Sequence, residues 1–264
     1  MVLPRYTWQR LYQQRLVVLL TMLAFVWPLL CAGFVYLTNH VDLLQGLDPE
    51  FKAFIQVDGR FFSVFMYVQG ACAVFLAALA GPGLIAPDLA NNALPLYFSR
   101  PLTRGSYALA RLTVIIGMLS VVTWIPGLIL FGLQVGMAGG WWFLANWTLG
   151  AGVVLGFLLW LLVLSLVAMA SSAYVKWRVV AGAVSLAFFF ILTGVSEMID
   201  QVFRVNWGHI LDRAWAVNRV WCALLGVETA DGPAPVACVL SLTMFVLLLG
   251  LVIERKLRPV EVVR

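Results

Sequence analysis

Charged residues are absent from five long stretches of the chain, and these stretches indicate its predicted elements. About 20 helical residues span the hydrocarbon core of a bilayer, so four of the stretches have the length of one membrane-spanning helix each. Strands of a membrane barrel would alternate between apolar and polar residues, and no such alternation occurs here. The five charge-free stretches are residues 16–41, 61–87, 112–175, 179–196 and 232–253.

The third stretch, 112–175, is too long for a single span. At about 1.5 Å of rise per residue, a straight helix of this length would be about three times as long as the hydrocarbon core is thick. The sequence "GMAGG" at Gly136–Gly140 predicts a hairpin, because glycine favours turns. We therefore predict an all-α, polytopic membrane protein with a single transmembrane domain over residues 1–264. Its six spans are placed at about 16–37, 62–86, 108–133, 142–171, 179–197 and 235–253.

The composition supports a membrane protein. The chain has 264 residues, of which 63% are hydrophobic and 11% are charged, whereas soluble domains have about 25% charged residues. The net charge of +5 would suggest nucleic acid as a partner for a soluble protein. In a membrane protein the distribution of the charge between loops is more informative, and we expect no nucleic-acid partner.

The basic residues predict the orientation. Twelve of the 17 lysines and arginines lie at the two termini and in the loops after the second and fourth spans, where there are only three acidic residues. Positively charged loops stay in the cytoplasm. We therefore expect a multi-pass protein of the plasma (inner) membrane with both termini in the cytoplasm. The aromatic basic flank before the first span argues against a cleaved signal peptide.

Two segments outside the spans carry many aromatic residues. Residues 3–15 place apolar side chains on one helical face and glutamines and arginines opposite, which favours an interfacial helix over an ordinary basic flank. Residues 198–234 carry charges every few residues and cannot span the membrane as one helix. We predict two short outer helices there, hinged near 206–208. They form either a gate over a translocation path or a passive lid. The candidate gate residues are Trp207, His209, Trp215 and Trp221.

Small residues cluster in the second and fourth spans. They include Gly70 in the second span and Gly150, Gly152 and Gly156 in the fourth. Small residues let helices approach closely, and we predict that they serve packing within one chain.

Residues with catalytic chemistry are sparse. The spans contain almost no ionisable residues, and the chain has no nucleophile elbow, Walker loop or histidine pair of metal-site spacing. Cys31 and Cys72 fall inside spans as small apolar residues. An oxidising compartment would permit a bridge between Cys222 and Cys238, although Cys238 should already lie in the sixth span. We expect no catalytic residue, no metal site and no cofactor.

The loop after the second span has a distinctive sequence, "NNALPLYFSRPLTRG" at residues 91–105. Leu94, Leu96, Tyr97 and Phe98 form an apolar group that is too large to leave in water. Aromatic anchors beside arginines are typical of protein interfaces. The alternative is that the rings lie among lipid headgroups while the arginines snorkel.

This loop resembles the coupling segment of ABC-2-type transporter permeases, the type V exporter-like transmembrane subunits. That segment has the general form "G-T-L-E-L-L-L-S-x-P-x-S-R-x-x-Y-x-x-G-K". Ser99 and Pro101 match its "S-x-P", Arg104 its arginine and Tyr107 its aromatic residue. Pro95 replaces the glutamate and disfavours helix before it, which predicts two short pieces at about 87–93 and 95–99.

The resemblance implies a function. The chain would be the permease subunit of an ATP-driven exporter, paired with a separate ABC ATPase subunit and with a second permease as a homodimer or heterodimer in membrane lipid. It would bind no ATP itself and would move an unidentified amphipathic or lipid-like substrate. The alternative is a non-transporting scaffold or a mechanotransmitting subunit. Within the coupling segment 87–106, the implied docking residues are Leu94, Pro95, Leu96, Tyr97, Phe98, Ser99, Arg100, Pro101 and Arg104.

Overall fold

The architecture is taken from a computed structural model of the chain. Within the part of the chain that it describes, all regular secondary structure is helical, which confirms the predicted all-α class. The described residues are 14–40, 56–83, 104–175, 177–229 and 232–256.

Six helical units are long and apolar enough to cross a membrane, as the charge-free stretches predicted. The first and third units are each interrupted once, at Phe25 and at Thr123. A short helix, α8, lies between the fifth and sixth units. The helices are α1 Arg15–Ala24 and α2 Val26–Asn39 (first span), α3 Gly59–Ala80 (second), α4 Arg104–Val122 and α5 Trp124–Ala138 (third), α6 Gly140–Tyr174 (fourth), α7 Arg178–Phe203 (fifth), α8 Arg213–Leu224 and α9 Pro235–Lys256 (sixth).

The spans alternate in direction, so the bundle has two distinct ends. At one end α1 and α7 begin together, and the Arg178 side chain donates to the Gln14 side chain. The end of α9 lies here too, with the Lys256 ammonium 5.0 Å from the centre of the Tyr174 ring. We call this the basic end. The opposite end carries α8 and is called the α8 end.

The fourth span, α6, is the centre of the bundle. Of its most hydrophobic stretch 67% is buried, against 22% for the first and fifth spans and 17% for the sixth. Much of the surface of those three spans is therefore left uncovered by the rest of the described chain.

The hairpin predicted from "GMAGG" is confirmed. Helix α5 ends at Ala138 and α6 begins at Gly140, so a single residue makes the reversal. That residue, Gly139, has φ +89°, a conformation that side chains with a Cβ rarely adopt.

The prediction of two short helices in 198–234 needs correction. Residues 198–203 continue α7, which ends at Phe203. The next residue, Arg204, adopts a left-handed conformation (φ 51°). A 3₁₀ turn at Gly208–Ile210 follows, and α8 is the one α-helix that the structure describes between α7 and α9. The charged Asp200 lies in the last turn of α7. Its carboxylate accepts a hydrogen bond from the Gly208 amide at 2.6 Å, which holds the segment after α7 against the end of the helix.

The predicted interfacial helix 3–15 falls almost wholly outside the described residues. Only its last two residues are described, and of these Arg15 is the first residue of α1. The interfacial position of the rest stays a prediction.

Candidate functional site

The predicted docking residues lie in the connection between α3 and α4. Residues 84–103 of this connection are outside the described part of the chain, so the apolar group and its arginines stay a prediction. Arg104 is described as the first residue of α4.

The last part of the family-like segment is anchored in the bundle. Tyr107, which matches the aromatic position, is only 1% exposed. The Arg111 guanidinium carbon lies 5.3 Å from the centre of the Tyr107 ring. Arg111 lies about two turns inside α4 and is buried. The first turns of α4 are therefore fixed within the bundle by buried side chains.

Two of the predicted gate residues form a small polar cluster at the α8 end. The His209 Nδ1 atom is 3.3 Å from an Asp200 carboxylate oxygen and 3.2 Å from the Ser196 hydroxyl. The His209 ring stacks on Trp215 with their centres 4.9 Å apart. Trp207, in contrast, is 66% exposed. The Asp200 carboxylate thus contacts a side chain of its own segment.

A second group of hydrogen bonds holds the first turn of helix α8 in place. The Asp212 carboxylate caps the helix by accepting from the amides of Ala214 (2.9 Å) and Trp215 (3.1 Å). The neighbouring Arg213 donates to the Ser241 hydroxyl of α9 at 2.6 Å. Burial lowers the pKa of the Arg213 guanidinium, and the negative charge of Asp212 opposes this shift. These contacts join α8 to α9.

Trp221 lies inside the bundle rather than at its surface, and its assignment to a gate stays a prediction. Its side chain is 3% exposed and points into the bundle, where its indole donates to the Gly156 carbonyl at 2.8 Å. Its ring also contacts Gly70, where an added Cβ would lie 2.8 Å from it. The two glycines leave the space that an indole needs. Trp221 therefore attaches α8 to the centre of the bundle.

The small residues of the second and fourth spans pack within the chain, as predicted. The Trp160 indole donates to the Gly70 carbonyl at 3.1 Å and meets Trp221 edge to face at 6.2 Å. Gly150 packs against the Phe131 ring, which an added Cβ would approach to 3.1 Å. Aromatic side chains thus fill the gaps that the glycines leave.

We expect Gly156→Ala to destabilise the protein by about 1–3 kcal/mol, the usual range for overpacking. The new Cβ would lie 2.6 Å from Trp221 and 2.7 Å from Met66, so the indole must move. The free energy of unfolding in detergent measures the effect. Gly132→Ala is the matched control, because nothing lies within 4 Å of its added Cβ. Equal stabilities of the two variants would contradict the packing described here.

An aromatic groove lies beside this junction, between α3, α7 and α8. Its volume is about 240 Å³, and Trp160 and Trp221 form its floor. Tyr67 and Phe190 stand at its rim and are more than half exposed. Few polar groups line it, so it suits an apolar or amphipathic molecule.

A single glutamine connects the two interrupted spans. Proline has no amide hydrogen, so Pro28 and Pro126 each leave the carbonyl four residues earlier without its helical donor. These carbonyls belong to Ala24 and Val122. The buried Gln69 amide nitrogen of α3 donates to both of them, at 3.1 Å and 2.5 Å. We call this arrangement the Gln69 bridge.

Sequence reasoning missed the Gln69 bridge because it searched the spans for ionisable residues. An uncharged amide in an apolar helix, with a proline in each of two other spans, was the available signal.

Neither a disulfide nor a candidate metal site is found among the described residues. All four cysteines, Cys31, Cys72, Cys222 and Cys238, are free thiols, so the bridge considered between the last two is not formed. The described ranges bring together no group of three or more histidine, cysteine or carboxylate side chains that could hold a metal ion.

No protein-family model matches the chain, and no curated protein sequence matches it. The resemblance to a permease family therefore rests on the coupling segment and the order of the spans.

Proposed function

We propose that the chain is the permease subunit of an ATP-driven exporter of the ABC-2 type. The observation that carries the proposal is the connection between α3 and α4. Its sequence resembles a coupling segment, and its flanking helices α3 and α4 are membrane-spanning units that pack against each other. A separate ATPase subunit would bind residues 94–104 and supply the energy that the spans themselves do not.

The Gln69 bridge suggests how movement would spread from the docking segment. Helix α3 leads directly into that segment and carries Gln69. Through this residue α3 holds the interruptions at Phe25 and Thr123. Sharp bends in helices usually occur at proline, and each of these two spans has a proline beside its interruption. A shift of α3 would therefore change the bend of the first and third spans together.

The uncovered faces of the first, fifth and sixth spans support pairing with a second permease in membrane lipid. Two copies, or this chain and a sibling, would leave a path between them. The aromatic groove between α3, α7 and α8 would contact an amphipathic or lipid-like cargo, since its walls are apolar. Both termini would lie in the cytoplasm, together with the basic end.

A scaffold that recruits a cytoplasmic partner through the same loop is the competing function. Reconstitution of the permease with its ATPase subunit distinguishes the two. A transporter should hydrolyse ATP faster when cargo is added, whereas a scaffold should show no stimulation.

If the α8 end acts as a gate, Trp207 and Trp215 should change their exposure during the ATPase cycle. We expect Trp207→Cys and Trp215→Cys, each made with alanine at Cys222 and Cys238, to react with a bulky impermeant thiol reagent at rates that differ between nucleotide-free and ATP-trapped complexes. Trp141→Cys is the control, because Trp141 is exposed at the start of α6 and does not belong to α8. Identical rates in both states at both positions would leave only a passive lid.

A further inference from the structure

The aromatic groove between α3, α7 and α8 lies halfway across the bundle. Gly70 and Ala71, which line it from α3, are at the midpoint of that helix. Phe190, which lines it from α7, is at the midpoint of that helix as well. Both helices are long and apolar enough to cross a membrane. A molecule in the groove would therefore lie near the middle of the bilayer, where an isolated charge is costly.

Most hydrogen-bond donors of the groove are already used within the protein. The Trp160 indole donates to a backbone carbonyl of α3, and the Trp221 indole donates to one of α6. The Thr193 hydroxyl donates to a carbonyl of its own helix, α7. These three groups stabilise the walls of the groove, so their donors are not available to a bound molecule.

Asn218 of α8 differs from these residues. Its side chain lines the groove, is partly buried and makes no hydrogen bond within the described part of the chain. Among the described residues of the groove, only Tyr67 at the exposed rim is likewise without a hydrogen-bond partner. A carboxamide offers two N–H donors and one carbonyl acceptor. Single polar groups of this kind orient small molecules in otherwise apolar sites.

The groove has no charge to offer a ligand. No charged residue occurs among the described residues that line it. A charged head group at this depth would lose its hydration and would find no counter-charge. An uncharged head group that donates and accepts hydrogen bonds needs only a partner such as the Asn218 amide. The lining of the groove therefore favours uncharged ligands over charged ones.

We propose that the aromatic groove binds an amphipathic cargo through an uncharged, hydrogen-bonding head group, with Asn218 as its polar partner. A hydroxyl or carboxamide of the cargo bonds to the Asn218 side chain, and its apolar carbons contact Trp160 and Phe190. The inference rests on the proposed function and deepens it, because the groove becomes the place where the head group lies halfway through its transfer. It narrows the cargo from amphipathic molecules in general to uncharged ones.

Photo-crosslinking of the full-length chain in nanodiscs, without its ATPase subunit, tests the proposal. The probe is oleyl alcohol with a diazirine in its chain. Oleyl alcohol and oleyl sulfate, which share that chain, are the competitors. We expect the probe to label peptides of α3, α7 and α8, oleyl alcohol to displace it, and oleyl sulfate to leave it in place. The Asn218→Leu variant should be labelled about threefold to tenfold more weakly, the range for one lost hydrogen bond in a membrane protein.

Two further variants separate this site from general partitioning of the probe into the bilayer. Asn146→Leu removes an amide of α6 that does not line the groove, and this variant should be labelled as the wild type is. Ala71→Phe fills the groove from an exposed position and should lose the labelling. Equal displacement by oleyl alcohol and oleyl sulfate would overturn the proposal. So would labelling confined to other helices, or wild-type labelling of the Asn218→Leu or Ala71→Phe variant.

Failure of this inference can be distinguished from failure of the proposed function. Labelling as expected in a chain that recruits no ATPase subunit would remove the exporter but not the binding site. Absent labelling in a chain that does bind an ATPase subunit would remove the binding site but not the exporter.

Discussion

Replacing Gln69 by leucine is expected to lower the free energy of unfolding by about 1–3 kcal/mol. Leucine has a similar size, so the packing of α3 should be retained. The Ala24 and Val122 carbonyls would lose their donor. A buried carbonyl without a partner costs about 1–3 kcal/mol in soluble proteins, and measured hydrogen bonds between membrane helices are worth less, on average about 0.6 kcal/mol. Equilibrium unfolding in mixed micelles, followed by helical circular dichroism, measures the change.

A double-mutant cycle with Pro28→Ala tests the cause of this loss. Alanine at position 28 supplies the amide hydrogen that Pro28 lacks, so the Ala24 carbonyl regains a helical donor. Gln69→Leu should then cost less in the Pro28→Ala background than in the wild type. Strictly additive effects of the two substitutions would show that Gln69 does not stabilise the interruption of the first span.

Removing the two aromatic rings of the docking segment is expected to abolish tight binding of the ATPase subunit. Buried aromatic anchors at interfaces cost about 2 kcal/mol or more when truncated. The Tyr97→Ala, Phe98→Ala double variant should therefore bind the ATPase subunit at least about thirtyfold more weakly. Insertion into the membrane should be unchanged, because the segment lies between spans rather than within one.

Binding of the purified ATPase subunit to the permease in nanodiscs measures this effect. The Asn91→Ala, Asn92→Ala variant is the matched control, because it truncates two side chains of the same connection outside the apolar group. We expect it to bind as the wild type does. Unchanged affinity of the Tyr97→Ala, Phe98→Ala variant would remove the docking assignment.

The spans were predictable because hydrocarbon imposes a simple rule on sequence. Charges are costly within it, so the absence of charge marks each span. The reversal at Gly139 was predictable as well, since it uses a positive φ that glycine tolerates. Both features depend on residues that are neighbours in the sequence.

The Gln69 bridge depends on three separate spans and was not predicted. Each proline alone predicts an interruption in its own helix. Neither indicates where a donor for the freed carbonyl will come from. That information requires the packing of α3 between the first and third spans.

The position of Trp221 at the α8 end likewise depends on residues that are distant in the sequence. Its segment carries charged residues at close spacing, which suggested a surface position. Its burial instead follows from the gaps at Gly70 and Gly156, on two other helices. Asp212, in contrast, makes its contacts with neighbours in the sequence, because it precedes α8 and caps it.

The identity of the proteins bound to this chain in its native membrane decides whether it serves an ATP-driven exporter. The measurement is affinity purification of the chain in mild detergent, followed by quantitative mass spectrometry of the recovered proteins. We predict an ABC ATPase subunit in a one-to-one ratio with the permease, and its loss with the Tyr97→Ala, Phe98→Ala variant. Recovery of the intact permease without any ATPase subunit would contradict the proposed function.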